Sequence, residues 1–190
     1  MFNKIIHLVA LSTVYKTLNI ISSENYVLIK KNNKFPYLSV GNDLDIFVKD
    51  VKLVEDSFYK NFNRIFFFKI NKLNKSESNI NLDIYFKKNF LIKLDISSDL
   101  SQYENLKKQN EFAMEVLNKK EIFKYNFLFR TYFINVPAND FDIIIRYFEF
   151  LKYPKKLQHL KFLKSIPFDK IEEINSTYRR YLNNNIDIKD

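Results

Sequence analysis

The sequence predicts an α+β fold: a mixed or antiparallel sheet with flanking helices, followed by a helical C-terminal half. Three observations carry that reading. Apolar and polar residues alternate at 43–46, 80–84 and 92–96, within the strands read at 44–48, 80–86 and 90–96, as strands with one buried face require. Apolar residues at helical spacing occupy 5–18 and 51–62, and after Ser101 the period becomes helical.

Ile5, Leu8, Val9, Leu11, Val14, Tyr15 and Leu18 form the apolar stripe of a first helix that ends near the turn Ser22-Ser23-Glu24-Asn25. Tyr26 to Lys30 reads as a short buried strand, and Lys31 to Lys34 with Pro36 as a loop. In the strand from Leu44 to Val48, Asp43, Asp45 and Phe47 share one face while Leu44, Ile46 and Val48 share the other. Both carboxylates therefore point the same way. Val51, Val54, Phe58 and Phe62 predict a helix, Ile65 to Ile70 a strand, and Asn71 to Asn79 a polar turn.

Two strands follow, 80–86 and 90–96. Matching their apolar faces sets Leu82 opposite Leu94 and Ile84 opposite Ile92, with Lys87-Lys88-Asn89 as a three-residue hairpin loop. That register places Asp83 and Asp95 on one polar face, Asp83 across from Lys93 and Asp95 across from Asn81. Further on, the pattern predicts a helix from about Glu104 to Leu117 and one more strand within 122–136. A turn and helix cap at Pro137-Ala138-Asn139-Asp140 opens helices over 141–151, 155–163 and 171–182. The expected organisation is a core at 1–103 and a helical region at 104–190 packed on it.

Composition narrows the function classes. A hydrophobic fraction of 46%, with 20 Phe and 12 Tyr, excludes a disordered chain. The formal net charge of +9 suits a phosphate-bearing partner, although abundant Lys, Asn, Ile, Phe and Tyr with one Gly and no Trp also fits an AT-rich genome. No stretch gathers the dense basic run of a nucleic-acid arm. Without Cys there is no disulfide framework and no thiolate metal site. The apolar N-terminal run is broken by His7 and lacks a small-residue cleavage site before Tyr15, so it reads as a helix rather than a signal peptide. No segment approaches the roughly 20 apolar residues of a membrane span. The expectation is a cytoplasmic protein.

Two carboxylates at i and i+2 on one strand suit a Mg²⁺ site of the phosphoryl-transfer type, because Mg²⁺ takes hard oxygen ligands and completes its shell with water and substrate phosphate. A two-metal site calls for a third carboxylate from a neighbouring strand, and Asp83 and Asp95 are the candidates.

At this point the chain resembles the nucleotidyltransferase superfamily, which includes DNA polymerase beta, poly(A) polymerases and aminoglycoside nucleotidyltransferases. The resemblance spans about residues 20–100. It rests on Asp43-Leu44-Asp45-Ile46-Phe47-Val48, similar to the family's two-Asp strand, and on Ile92-Lys93-Leu94-Asp95-Ile96-Ser97, similar to its later one-Asp strand. It implies a nucleotidyltransferase-type sheet, with Asp43 and Asp45 binding Mg²⁺ or Mn²⁺ and Asp95 helping to deprotonate the acceptor hydroxyl. Asp83 is the alternative third ligand. An NTP such as ATP is the implied substrate, and a sugar phosphate, a protein side chain or an RNA end the acceptor. Where the family opens a helix with Gly-Ser to hold the phosphates, this chain has Lys30-Lys31-Asn32-Asn33; it is similar there to divergent bacterial members with an Arg or Lys at this point, and that resemblance implies phosphate at Lys30 or Lys31.

Each motif also has a plainer reading. Asp-x-Asp is common at solvated strand ends, Lys30 and Lys31 fit a wet loop, and Asp83 fits a cross-strand pair with Lys93. His7 and His159 read as packing or surface residues. Three functions stay open: a metal-dependent transferase, a non-catalytic nucleotide-binding or partner-binding member of the fold, and an RNA-binding module.

Overall fold

The computed structural model describes residues 2–21, 26–30, 35, 37–65 and 67–188. The predicted turn at 22–25 and the loop residues 31–34 and 36 lie outside them. No helix is long and apolar enough to cross a membrane among the described residues. The chain divides into two compact units, Met1–Ser98 with Lys120–Val136, and Asp99–Lys119 with Pro137–Asp190.

The first unit opens with α1 (Phe2–Ile20) and continues through β1 (Tyr26–Ile29), β2 (Asp43–Val48), α2 (Val51–Phe62), β3 (Phe68–Ser76), β4 (Asn79–Phe86) and β5 (Asn89–Ser97). Its five strands make one mixed sheet in the order β1-β2-β5-β4-β3. The pair β2/β5 is parallel and the other pairs are antiparallel. The α+β class and the mixed sheet with flanking helices are therefore as the residue pattern predicts.

Alternation decides the packing. Leu44, Ile46 and Val48 join Ile80, Leu82, Ile84, Ile92, Leu94 and Ile96 in one buried cluster with Leu11, Val14 and Leu18 of α1 and Val54, Phe58 and Phe62 of α2. Burying each such side chain contributes about 1.5–3 kcal/mol, which fixes the sheet's register because a one-residue slip would turn every one of them outward. The helix α2 starts where Asp50, in extended conformation, accepts a hydrogen bond from the Leu53 N–H at 3.0 Å.

Two local expectations are corrected. The segment Asn71–Ser76, expected as a turn, continues β3 along the sheet edge and turns only at Glu77-Ser78. An edge strand pairs on one side only, so a polar sequence is tolerated and protects against stray pairing. The following hairpin turns on two residues, Lys87-Lys88, rather than three. Phe86 pairs with Asn89 and Tyr85 with Phe90, while Ile84 still meets Ile92, so Leu91 is the extra residue of a β-bulge.

The edge strand is tied to α2 by Lys72 Nζ and Glu55 Oε2 at 2.8 Å, with side chains 30% and 6% exposed. Losing the two partners has unequal consequences. Lys72→Met strands a buried carboxylate and should cost about 3 kcal/mol, whereas Glu55→Gln frees an ammonium that reaches water and should cost less than half as much. Urea unfolding of both variants checks the inequality; equal losses would show that Glu55 does not depend on Lys72.

Where one strand was expected within 122–136, the chain forms two, β6 (Lys120–Phe127) and β7 (Arg130–Pro137), paired as a separate two-stranded sheet. This hairpin rests on α1, through Tyr15 edge-on to Tyr125, Phe127 and Tyr132 and a Ser12–Tyr132 hydroxyl contact of 2.8 Å.

The second unit holds α3 (Gln109–Asn118), α4 (Asn139–Lys152), α5 (Leu157–Lys164) and α6 (Phe168–Thr177) around Phe112, Phe141, Ile144, Leu163 and Ile174. The expected cap before α4 is not a side-chain cap. Asp140 instead lies in the first helical turn, where a negative charge meets the helix dipole, and pairs with Lys170 at 2.9 Å.

Candidate functional site

The face of the five-stranded sheet opposite the apolar cluster carries the polar residues. Register sorts them into rows. Asp43 stands beside Lys93 and Lys93 beside Asp83; in the next row Ile29, Asp45, Asp95 and Asn81 stand side by side on β1, β2, β5 and β4. Asp45 and Asp95 are thus direct neighbours on adjacent parallel strands, roughly 4.8 Å apart in backbone spacing. Asp43 lies two residues from Asp45 on the same face. Asp83 belongs to the Lys93 row and is two strands away from Asp43.

The single glycine holds this arrangement at its start. Gly41 adopts φ +86, and its N–H donates to the carbonyl of the bulge residue Leu91 at 2.9 Å. The Lys93 N–H then reaches the Asn42 carbonyl at 3.4 Å. The bulge in β5 and the left-handed turn before β2 fit one another and bring the Asp strand into register with β5.

Lys30 closes the site from the end of β1. Its backbone is left-handed, φ +55, and its Nζ lies 2.9 Å from Asp45 Oδ1, with the Lys and Asp side chains 13% and 25% exposed. Burial pushes the Asp45 carboxyl above its ordinary 3.8, and Asp43 and Asp95 add to the rise, while Lys30 pulls against it. The net direction is upward. Lys30, expected at phosphate, is seated on a carboxylate, and Lys31 lies outside the described residues.

Among the described residues no three His, Asp or Glu side chains are gathered as a ready cation cage. Two histidines are accounted for by packing. His7 donates from Nε2 to the Leu38 carbonyl at 2.7 Å, and His159 is buried in the second unit, 4.0 Å from Glu149.

Sequence reasoning missed Asn81. It is 6% exposed, stands beside Asp95, and its side-chain oxygen meets no hydrogen-bond donor among the described residues. The register exposed its position; nothing in the sequence marked its burial.

No family model and no curated protein matches the chain. Among solved structures it is similar to one described as a "putative nucleotidyltransferase from H. pylori", at 12% identity over 94% of this chain and 82% of that one, with a TM-score of 0.43. A likeness of that size lends no weight to the role of any residue.

Proposed function

We propose that the chain is a metal-dependent nucleotidyltransferase that moves a nucleoside monophosphate from an NTP, such as ATP, to a hydroxyl of a sugar phosphate, a protein or an RNA end. The observation that carries this reading is the side-by-side placement of Asp45 and Asp95 on parallel strands, with Asp43 on the same face.

The donor chemistry fits Mg²⁺ or Mn²⁺. Three carboxylates offer hard oxygens on one face, and the Lys30 ammonium on Asp45 marks a place where positive charge is stabilised. Asp43 and Asp45 would hold the metal and Asp95 would complete the set, with Asp83 as the alternative. Bound there, the metal supplies Lewis-acid stabilisation of charge on the phosphoryl oxygens and the leaving group. The acceptor oxygen forms a bond to the α-phosphorus, its proton passes to the Asp95 carboxylate, and the bond from the α-phosphorus to pyrophosphate breaks. Lys30, with Lys31, contributes positive charge for the triphosphate.

The alternative is a non-catalytic member of the fold that binds a nucleotide or RNA. The Lys30–Asp45 pair favours it, since an ammonium held on the central carboxylate does electrostatically what a metal would do.

Melting curves with each NTP, with and without Mg²⁺, separate the readings. At a ligand concentration of about 100 Kd the stabilisation is about 2.7 kcal/mol, a rise of roughly 5–10 °C for a chain of this size. The transferase reading expects that rise with one NTP and only with the metal. A rise without metal selects the non-catalytic member, and salt-sensitive RNA binding with no NTP effect removes both nucleotide readings.

A further inference from the structure

The turn joining β6 to β7 carries residues that its backbone disfavours. Leu128 and Phe129 have φ +47 and +64, the left-handed pair of a type I′ hairpin turn. Asn-Gly suits that shape; two bulky side chains crowd the backbone there. Burial does not offset the strain, because Leu128 is exposed and Phe129 wholly so. A strained turn that presents two adjacent apolar side chains to water points to a contact made outside the chain.

The surroundings define the contact. Ile122 and Phe133 are exposed on the same hairpin, and Ile20 is exposed at the end of α1, where the Asn19 side chain accepts from the Phe133 N–H. Lys124 holds its ammonium 6.0 Å from the centre of the Phe133 ring, and Arg130 follows the turn directly. From 122 to 133 the hairpin has these two cations and no carboxylate.

We infer that this hairpin tip is a membrane-surface anchor, in which Leu128 and Phe129 enter the acyl boundary of an anionic lipid layer while Arg130 and Lys124 meet its headgroup phosphates. The charge matches that surface, and the net +9 of the chain adds to the attraction. At the tip itself the neighbour of Phe129 is the aliphatic Leu128, which gives a base no π face, so the pair suits an acyl layer better than RNA. The turn shares no residue with the Asp43–Asp45–Asp95 face, so this inference stands or falls separately from the proposed transfer activity.

The test is flotation with vesicles of phosphatidylcholine alone and with phosphatidylglycerol added. The parent chain should float with the anionic vesicles, and added salt should weaken binding without abolishing it. The double change Leu128→Asn with Phe129→Gly should reduce binding about tenfold for each apolar side chain removed, while its melting temperature equals or exceeds the parent's because the turn is relaxed. Arg130→Ser should lower binding to anionic vesicles with an unchanged melting temperature. Absence of flotation by the parent, or undiminished flotation by the folded double variant, would overturn the anchor. So would a parent dimer that the double change dissociates, or RNA binding that depends on Phe129, since either assigns the tip to another partner.

Discussion

Asp45→Asn should reduce nucleotidyl transfer by about a thousandfold or more and remove the Mg²⁺-dependent rise in melting temperature, while the metal-free protein stays as stable as the parent or gains slightly. Asparagine keeps the shape of the side chain and removes one charge and one strong ligand. The second half of the expectation follows from the balance around Asp45. Burial and the charges of Asp43 and Asp95 raise its carboxyl by more than Lys30 lowers it, so its ionised form weakens the fold above the unfolded-state value. That weakness disappears as pH falls through the raised value and the carboxyl takes a proton. A neutral amide never incurs it, so the difference between variant and parent should be greatest near neutrality and shrink on acidification through the range above 3.8. Pyrophosphate release and urea unfolding at several pH values measure both halves. A variant that keeps the full metal-dependent shift would remove Asp45 from the metal site.

The parts of this molecule that sequence made legible are those where one face is dry. Leu82 and Ile84 had to meet Leu94 and Ile92 because both strands bury the same side, and that register alone put Asp95 beside Asn81 and Asp83 beside Lys93. The bounds of α2, Val51–Phe62, coincide with the reading for a similar reason: its apolar positions are spaced to cover the sheet. The pattern does not speak where no face is buried or where conformation rather than polarity decides. The polar length of β3 looks like a loop because an edge strand needs no apolar alternation. The bulge at Leu91 leaves no trace in a run of residues that are apolar on both sides of it.

Long-range placement was the other blind spot. Parallel pairing of β2 with β5 brings together segments some fifty residues apart, and periodicity alone does not give that pairing; the need for a third carboxylate left Asp83 and Asp95 both open as the partner of the Asp43–Asp45 strand. The Lys30–Asp45 pair was equally hidden, because Lys carries no marker for the carboxylate it will meet. Its left-handed backbone, which turns the chain at the end of β1, is a conformation that nothing about lysine predicts.

Lys30→Met should separate the two roles open to that residue. Methionine keeps an unbranched apolar stem and removes the ammonium, so Asp45 loses the neighbour that, among the described residues, favours its ionised form. In the absence of metal the variant should be less stable than the parent by about 1–3 kcal/mol at neutral pH, the range between a charged hydrogen bond and a fully buried pair. The parent's advantage requires an ionised Asp45, so it should persist at neutral pH and fade as pH drops through the raised carboxyl range. With metal the order should reverse. An ammonium at 2.9 Å from Asp45 Oδ1 competes with any divalent ion for the same oxygen, and removing it should make the stabilisation per unit of added Mg²⁺ larger in the variant than in the parent. Nucleotide binding at saturating Mg²⁺ should weaken at the same time, because the triphosphate loses a cation. Titrating melting temperature against Mg²⁺ alone and then against NTP reads the two effects apart. An unchanged response to Mg²⁺ would mean that Lys30 does not compete at Asp45, and an unchanged response to NTP would remove Lys30 from the phosphate site.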